Sequence, residues 1–176
     1  MNSTVKSGAF AAIAVTALTF ASPALAEESK VTETAFIFNS LSFLIHGFMV
    51  MLMAAGFAML EAGMVRTKNV ATMCVKNIAL YSIAGILYYA VGYNLMYQGV
   101  DGGFMGTFAP WGIDDSAMAK GDFSGNYSAS SDWFFQMVFV ATAASIVSGT
   151  VAERIKLWPF LAFVVVLTGV IYPIQG

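Results

Sequence analysis

The stretch WFFQMVFVATAASIVSGTVAERIK, residues 133–156, decides the fold of this chain. Its first twenty residues carry no charge. As an α-helix such a run is about 30 Å long, which is enough to cross the hydrocarbon core of a membrane. The run begins with aromatic residues and ends at Glu153, Arg154 and Lys156. The stretch therefore predicts a membrane-spanning helix with an aromatic end and a charged end.

Two faces of this helix carry different residue types. Phe135 and Phe139 are four residues apart, so they share a face near the aromatic end. Ala141, Ser145 and Gly149 follow the same spacing on another face, where small side chains allow a second helix to approach closely in lipid. One helix thus offers a packing face and an aromatic face, which suits a substrate path between helices. Without further information, packing against a neighbouring helix is the simpler role for the two phenylalanines.

The composition indicates an integral membrane protein. Hydrophobic residues make up 59% of the 176 residues and charged residues only 10%, against about 25% in soluble domains. The mean hydropathy is +0.76. The net charge of −2, without a cluster of lysines and arginines, argues against a nucleic-acid partner. Cys74 is the only cysteine, so no intrachain disulfide can form.

The N-terminus has the pattern of a secretory signal peptide. Lys6 precedes a short apolar region at residues 8–21, and Ala24, Leu25 and Ala26 form an A-x-A cleavage site. We therefore predict a signal peptide at residues 1–26 and a mature chain at 27–176 that starts outside the membrane. An uncleaved signal anchor is the alternative.

Four membrane helices are expected in the mature chain, which makes the fold class all-α integral membrane. They cover residues 35–64, 70–97, 133–152 and 157–175, with a polar outer loop at 98–132. The last span reaches the end of the chain without a polar tail, and we expect a truncation there. The inner turns would hold Arg66, Lys68, Arg154 and Lys156, in agreement with the positive-inside rule. The signal peptide and the charge pattern thus predict the same orientation.

Few polar residues stand out as candidates for chemistry. His46 is the only histidine, and it could act as a proton relay or form a hydrogen bond to a neighbouring helix. Glu61 lies near the end of its span, where an ion pair with Arg66 or Lys68 is more expected than contact with a substrate. Asp114 and Asp115 lie in the loop but lack the spacing of a calcium loop. The sequence shows no nucleophile–base pair, metal cluster or phosphate loop, so no enzyme activity, catalytic residue, metal or cofactor is predicted.

Several motifs resemble the ammonium transporters of the Amt/Mep/Rh family. The segment EAGMVRTKN at residues 61–69 is similar to the first inner turn of that family, with Glu61, Arg66, Lys68 and Asn69 as motif residues. FQMVF at 135–139 and AER at 152–154, which contains Glu153 and Arg154, resemble its third helix. YP at 172–173 resembles the end of its fourth helix. The resemblance covers about residues 41–176.

The resemblance implies an eleven-helix fold built from two inverted halves and assembled as a homotrimer, of which this chain holds part of the first half. It makes Phe139 a member of the phenylalanine gate below an outer aromatic vestibule, with Phe135 just outside it and Gln136 beside them. The pore histidines of the family lie beyond residue 176, and His46 matches neither of them. The resemblance also implies that a PII-type regulatory protein can contact the inner turns.

The function implied is transport of ammonium or ammonia across the inner (plasma) membrane, as part of nitrogen uptake. An ammonium sensor of the same family is one alternative, since some members signal ammonium availability. A membrane interaction module without transport is the other, although the phenylalanine pair and the AER motif argue against it. The transported species, and whether it moves as a neutral molecule or an ion, depend on histidines that this chain does not contain.

Overall fold

The computed structural model describes the backbone of residues 3–100 and 105–175 and the side chains of residues 32–100 and 105–175. Within these ranges all regular structure is helical. The long helices are α1 (Ser3–Met64), α2 (Val70–Leu87), α5 (Ala129–Thr150) and α6 (Leu157–Val166). Short helices are α3 (Tyr93–Tyr97), α4 (Ser116–Ala119) and α7 (Tyr172–Gln175), with a 3₁₀ turn at Thr67–Asn69. The predicted signal peptide at 1–26 lies outside the part of the chain whose side chains are described.

Four segments are long and apolar enough to span a membrane: Thr32–Met64, Thr67–Tyr97, Ala129–Thr150 and Leu157–Gln175. They are called spans 1 to 4 below. The prediction of an all-α membrane fold with four membrane helices is confirmed. Spans 2 and 3 are joined through residues 98–128, at what we call the loop end. Residues 65–69, which include the 3₁₀ turn at the start of span 2, and residues 151–156 form the two short turns at the opposite end, which we call the turn end.

Span 3 is the central helix of the described bundle. It contacts both span 1 and span 2. In its most apolar segment of 18 residues, 44% of the residues are buried, against 11% in the corresponding segment of span 1. Val138, Val140, Ala141 and Ala144 of this helix are inaccessible to solvent. In the predicted small-residue stripe, Ala141 and Ser145 are buried, whereas Gly149 is exposed. The stripe therefore supports close packing over its first two members only.

Glycine allows spans 1 and 3 to approach closely. A Cβ atom on Gly47 of span 1 would lie 2.7 Å from Cε1 of Phe134 on span 3. Carbon atoms in contact normally stay about 3.5 Å apart, so a larger residue at position 47 would displace the ring. This close approach brings the apolar faces of the two helices together at the loop end.

Two π-helical turns interrupt spans 2 and 4, at Tyr88–Gly92 and Leu167–Ile171. The two turns contact each other. A Cβ atom on Gly92 would lie 2.6 Å from Cδ2 of Tyr88 and 3.2 Å from Cγ of Pro173, so the contact needs glycine at this position. A π turn adds a residue to the helix and shifts the faces on either side of it. The sequence analysis did not predict these turns.

Span 3 begins at Ala129 because a loop residue caps it. The Oδ1 atom of Asp115 accepts a hydrogen bond from the Ala129 amide at 2.8 Å, and Oδ2 accepts one from the Ser130 amide at 3.1 Å. Carboxylates at a helix N-terminus satisfy amides that have no partner within the helix. Burial alone would raise the pKa of Asp115, but the hydrogen bonds from Ser130, Ser128 and Ala129 outweigh it and hold this pKa below its usual value. The loop aspartate is thus a helix cap rather than a merely solvated side chain.

Candidate functional site

A row of aromatic rings lies between spans 1 and 3 at the loop end. The centroids of Phe135 and Phe139 are 5.1 Å apart in an edge-to-face arrangement. Phe43 of span 1 lies 5.2 Å from Phe135 and 4.7 Å from Tyr127 of the loop. We call these four residues the aromatic row. The structure brings Phe135 and Phe139 together as the sequence indicated, and it adds Phe43 and Tyr127, which sequence reasoning missed.

The aromatic row combines apolar bulk with attraction for cations. Edge-to-face pairs at these distances are favourable contacts between aromatic side chains. Their ring faces carry partial negative charge, which attracts a cation within about 6 Å of the ring centroid. Phe135 and Phe139 are both half-buried in the described chain. Such a row can attract a small cation while its apolar bulk excludes water.

Polar side chains accompany the aromatic row. Gln136, the third predicted path residue, is half-buried and lies beside Tyr97. Asp132, one turn before it, is buried and accepts a hydrogen bond from the Tyr93 hydroxyl at 3.1 Å. A buried carboxylate needs such donors to offset the loss of its hydration. The loop end of span 3 therefore carries a buried acidic group that is hydrogen-bonded to span 2.

A buried carboxylate cluster lies near the turn end. Glu61 is only 3% exposed, and its Oε2 atom lies 3.1 Å from the ammonium nitrogen of Lys76. The same oxygen accepts hydrogen bonds from Asn77 at 3.1 Å and from Ser148 at 2.9 Å. The expected partners of Glu61, Arg66 and Lys68, were therefore wrong. Glu61 is buried, whereas Arg66 and Lys68 are exposed. Arg66 pairs with Glu153, and Lys76 contacts Glu61 from span 2.

Lys76 lies near the start of span 2, and its side chain is buried in the bundle rather than extended to the membrane interface. Its side chain is 4% exposed, donates a hydrogen bond to the Ser148 carbonyl at 3.1 Å and lies 5.1 Å from the centroid of Phe160. The charge is thus satisfied by Glu61, a backbone carbonyl and an aromatic ring. The sequence contained a signal for this cluster, because a lysine and a glutamate in neighbouring apolar helices are expected to pair.

Glu153 connects the two short turns at the turn end. Its Oε1 atom accepts hydrogen bonds from the Arg66 amide at 3.0 Å, from the Arg66 side chain at 3.2 Å and from Asn69 at 2.6 Å. We call this set of contacts the turn clamp. The hydrogen bonds from Asn69 and from the Arg66 amide are the main reasons why the pKa of Glu153 lies below its usual value. Glu153 adopts φ of 60°, a left-handed conformation that costs energy for a residue with a side chain.

The remaining predicted residues take simpler positions. Lys68 and Arg154 are exposed at the turn end. His46 is exposed on span 1, and its Nδ1 atom donates a hydrogen bond to the Ser42 carbonyl at 2.7 Å. The expected hydrogen bond of His46 to a neighbouring helix is therefore replaced, among the described residues, by one within its own helix.

Four apolar spans, an aromatic row between two of them and buried, paired charges define a multi-pass helical membrane protein. The model of the Ammonium Transporter Family matches residues 41–176. The chain therefore belongs to this family, as its motifs indicated. The name of the family describes transporters rather than enzymes.

Individual relatives support the same assignment. The chain is 44% identical over 137 residues to the ammonium transporter Amt2 of Archaeoglobus fulgidus, which covers 76% of this chain and 27% of the relative. It is 42% identical over 137 residues to Amt2 of Haloferax mediterranei, covering 72% of this chain and 27% of the relative. A solved structure named Sensor Amt Protein superimposes with a TM-score of 0.70 at 29% identity, over 82% of this chain and 34% of that one. The chain thus spans about a quarter to a third of these relatives.

Proposed function

We propose that this chain is the N-terminal part of a transporter that moves ammonium or ammonia across a membrane. The single observation that carries the proposal is the Phe135–Phe139 pair, 5.1 Å apart between two membrane spans, in a chain of the ammonium transporter family. In that role Phe139 belongs to the gate, Phe135 lies just outside it, and Gln136 lines the entrance. The rings attract the cation at the entrance and block passage of water and larger ions.

Replacing Phe139 with alanine in the full-length protein tests this role. Loss of the ring removes cation attraction and opens the constriction, so we expect selective uptake of ammonium to fall by about tenfold, the effect of losing about 1.4 kcal/mol of stabilisation. Uptake of radiolabelled methylammonium with competing potassium would measure both rate and selectivity. Phe134→Ala is the matched control, because Phe134 lies on the same helix but packs against Phe48. Unchanged uptake and selectivity in Phe139→Ala would show that the pair serves packing alone.

A sensor function is the second candidate. The observation that favours it is the superposition on the structure named Sensor Amt Protein. Transport and sensing share the aromatic entrance, because both require the ligand to be recognised first. Growth on limiting ammonium separates them. A transporter restores growth to cells that lack their own uptake systems, whereas a pure sensor does not.

We further propose that the protein lies in the inner (plasma) membrane, with its loop end outside and its turn end inside, and that it forms a homotrimer. The four basic residues of the turns support this orientation. Exposed apolar side chains along span 1, such as Phe48, Leu52 and Met59, offer surface for further helices or subunits. A mass other than that of three subunits, measured for the detergent-solubilised full-length protein, would contradict the trimer.

A PII-type regulatory protein is the proposed partner at the turn end. Arg66, Lys68 and Arg154 are exposed there, and the turn clamp holds the two turns side by side. A partner can therefore contact both turns at once. Binding of the PII-type protein that survives alanine replacement of all three basic residues would argue against this surface.

A further inference from the structure

One oxygen of the buried carboxylate cluster has no partner among the described residues. The Oε2 atom of Glu61 is satisfied by Lys76, Asn77 and Ser148, but Oε1 accepts no hydrogen bond from any described residue, although it is buried. An unpaired buried oxygen of this kind is costly, and native proteins rarely keep one without a use. Oε2 of Glu61 is therefore fully paired, whereas Oε1 can still accept a hydrogen bond.

A cavity of about 450 Å³ adjoins the buried carboxylate cluster. It is formed between spans 1 and 3 near the turn end, and Glu61 is part of its wall. Apolar side chains provide most of the remaining wall: Phe57, Leu60, Met64 and Ile146. Glu153 and Arg154 of the second turn also line it. The cavity thus combines an apolar wall with one buried acceptor and a charged rim.

Gly149 lies beside this oxygen and places no side chain against it. A Cβ atom at this position would lie 3.9 Å from both Cγ and Oε1 of Glu61. A larger side chain at this position would occupy space next to the acceptor. The third member of the small-residue stripe is exposed, so helix packing against the described residues does not explain it. Its effect in this structure is to leave the position next to Oε1 of Glu61 without a side chain.

We infer that Glu61 Oε1 is a binding subsite for ammonium at the turn end of the path, reached through the cavity beside Gly149. This inference rests on the proposed function. An ammonium ion is a compact donor of N–H groups, and a carboxylate oxygen is the acceptor that suits it best. Lys76 already balances the charge of Glu61, so the subsite holds its ligand weakly. Weak binding suits release, because conduction requires that a bound ion can leave.

The test uses the full-length protein and two independent measurements. The first is the infrared difference spectrum on adding ammonium, with sodium as the control ion. We expect a shift of a carboxylate stretching band in the wild type. The shift should disappear in Gly149→Val, which covers Oε1, and in the neutral double variant Glu61→Gln/Lys76→Met. Gly63→Val is the matched control, because a Cβ atom at Gly63 of the same turn end has no atom within 4 Å, and it should keep the shift.

The second measurement is transport from each side of liposomes that hold the protein in one orientation. We expect Gly149→Val to raise the half-saturating ammonium concentration on the turn-end side by about tenfold, with the loop-end value unchanged, because it removes a hydrogen bond to a charged acceptor. A wild-type protein without the carboxylate shift, or a shift that persists in both Gly149→Val and the double variant, would overturn the subsite. A wild type that shows the shift but carries no ammonium would overturn the proposed function and leave the subsite standing.

Discussion

At the scale of single residues, the Glu61–Lys76 pair has the largest consequence for stability. Both side chains are almost fully buried, and each would be costly alone in an apolar environment. A buried pair gains little over an apolar pair of the same shape, but removal of one partner leaves an uncompensated charge. The cluster therefore contributes little net stability. Each of its two charged residues, however, becomes costly when the other is removed.

Replacing Lys76 with methionine isolates this dependence. Glu61 then remains buried without its counter-charge, so we expect the free energy of unfolding to fall by about 3 kcal/mol. The double variant Glu61→Gln/Lys76→Met should recover most of this loss, since no buried charge remains. Unfolding of the full-length protein in detergent measures both variants, and equal losses in the single and double variants would show that the pair is not coupled.

At the scale of secondary-structure elements, the turn clamp holds the two turns next to each other. One carboxylate oxygen of Glu153 accepts hydrogen bonds from the backbone and side chain of Arg66 and from the side-chain amide of Asn69. These bonds connect the turn between spans 1 and 2 to the turn between spans 3 and 4. The clamp requires Glu153 to adopt a left-handed backbone conformation. Glu153 accepts three hydrogen bonds in spite of this unfavourable conformation. It therefore has a structural role at the turn end.

The clamp should respond to acid. Because hydrogen bonding lowers the pKa of Glu153 in the folded protein, its contribution is complete above the ordinary pKa of 4.5 and is lost as the pH falls through the lower folded value. Spin labels on Lys68→Cys and Ile155→Cys report the distance between the turns, in a background from which Cys74 and any other reactive cysteine have been removed. We expect a narrow distance distribution at neutral pH that broadens in acid. Glu153→Gln is the control, and it should be broad at every pH; a narrow, pH-independent distribution in that variant would rule out the clamp.

At the scale of the whole molecule, the sequence was sufficient to predict the helices but not their local irregularities. Charge-free runs fix membrane spans because the bilayer sets their length, and the spacing of Phe135 and Phe139 fixes their shared face. The π turns at Tyr88–Gly92 and Leu167–Ile171 depend on contact between two distant helices, which no local pattern encodes. Asp115 as a helix cap likewise depends on how the loop returns to span 3.

Some residues of the candidate site could likewise be predicted from the sequence, and others could not. Phe135, Phe139 and Gln136 follow from spacing and motif within one helix. Phe43 and Tyr127 come from other elements, so the aromatic row needed the packed structure. The partner of Glu61 was missed because sequence distance favoured Arg66 and Lys68 over Lys76. The depth of Glu61 in the bundle reversed that order, since only a buried lysine reaches it.

The orientation that we propose for the whole molecule rests on its charge asymmetry and can be tested directly. Lysine and arginine occupy both turns at the turn end, whereas the loop between spans 2 and 3 holds only Lys120. Since positively charged connections stay on the cytoplasmic side, we expect Lys120 outside and Lys68 inside. In intact cells, a membrane-impermeant maleimide should label Lys120→Cys of a Cys74→Ala protein but not Lys68→Cys, which should react only after permeabilisation. Both positions are exposed in the structure, so access differs only by side. Labelling of Lys68→Cys in sealed cells would reverse the orientation and place the proposed release site of the substrate outside.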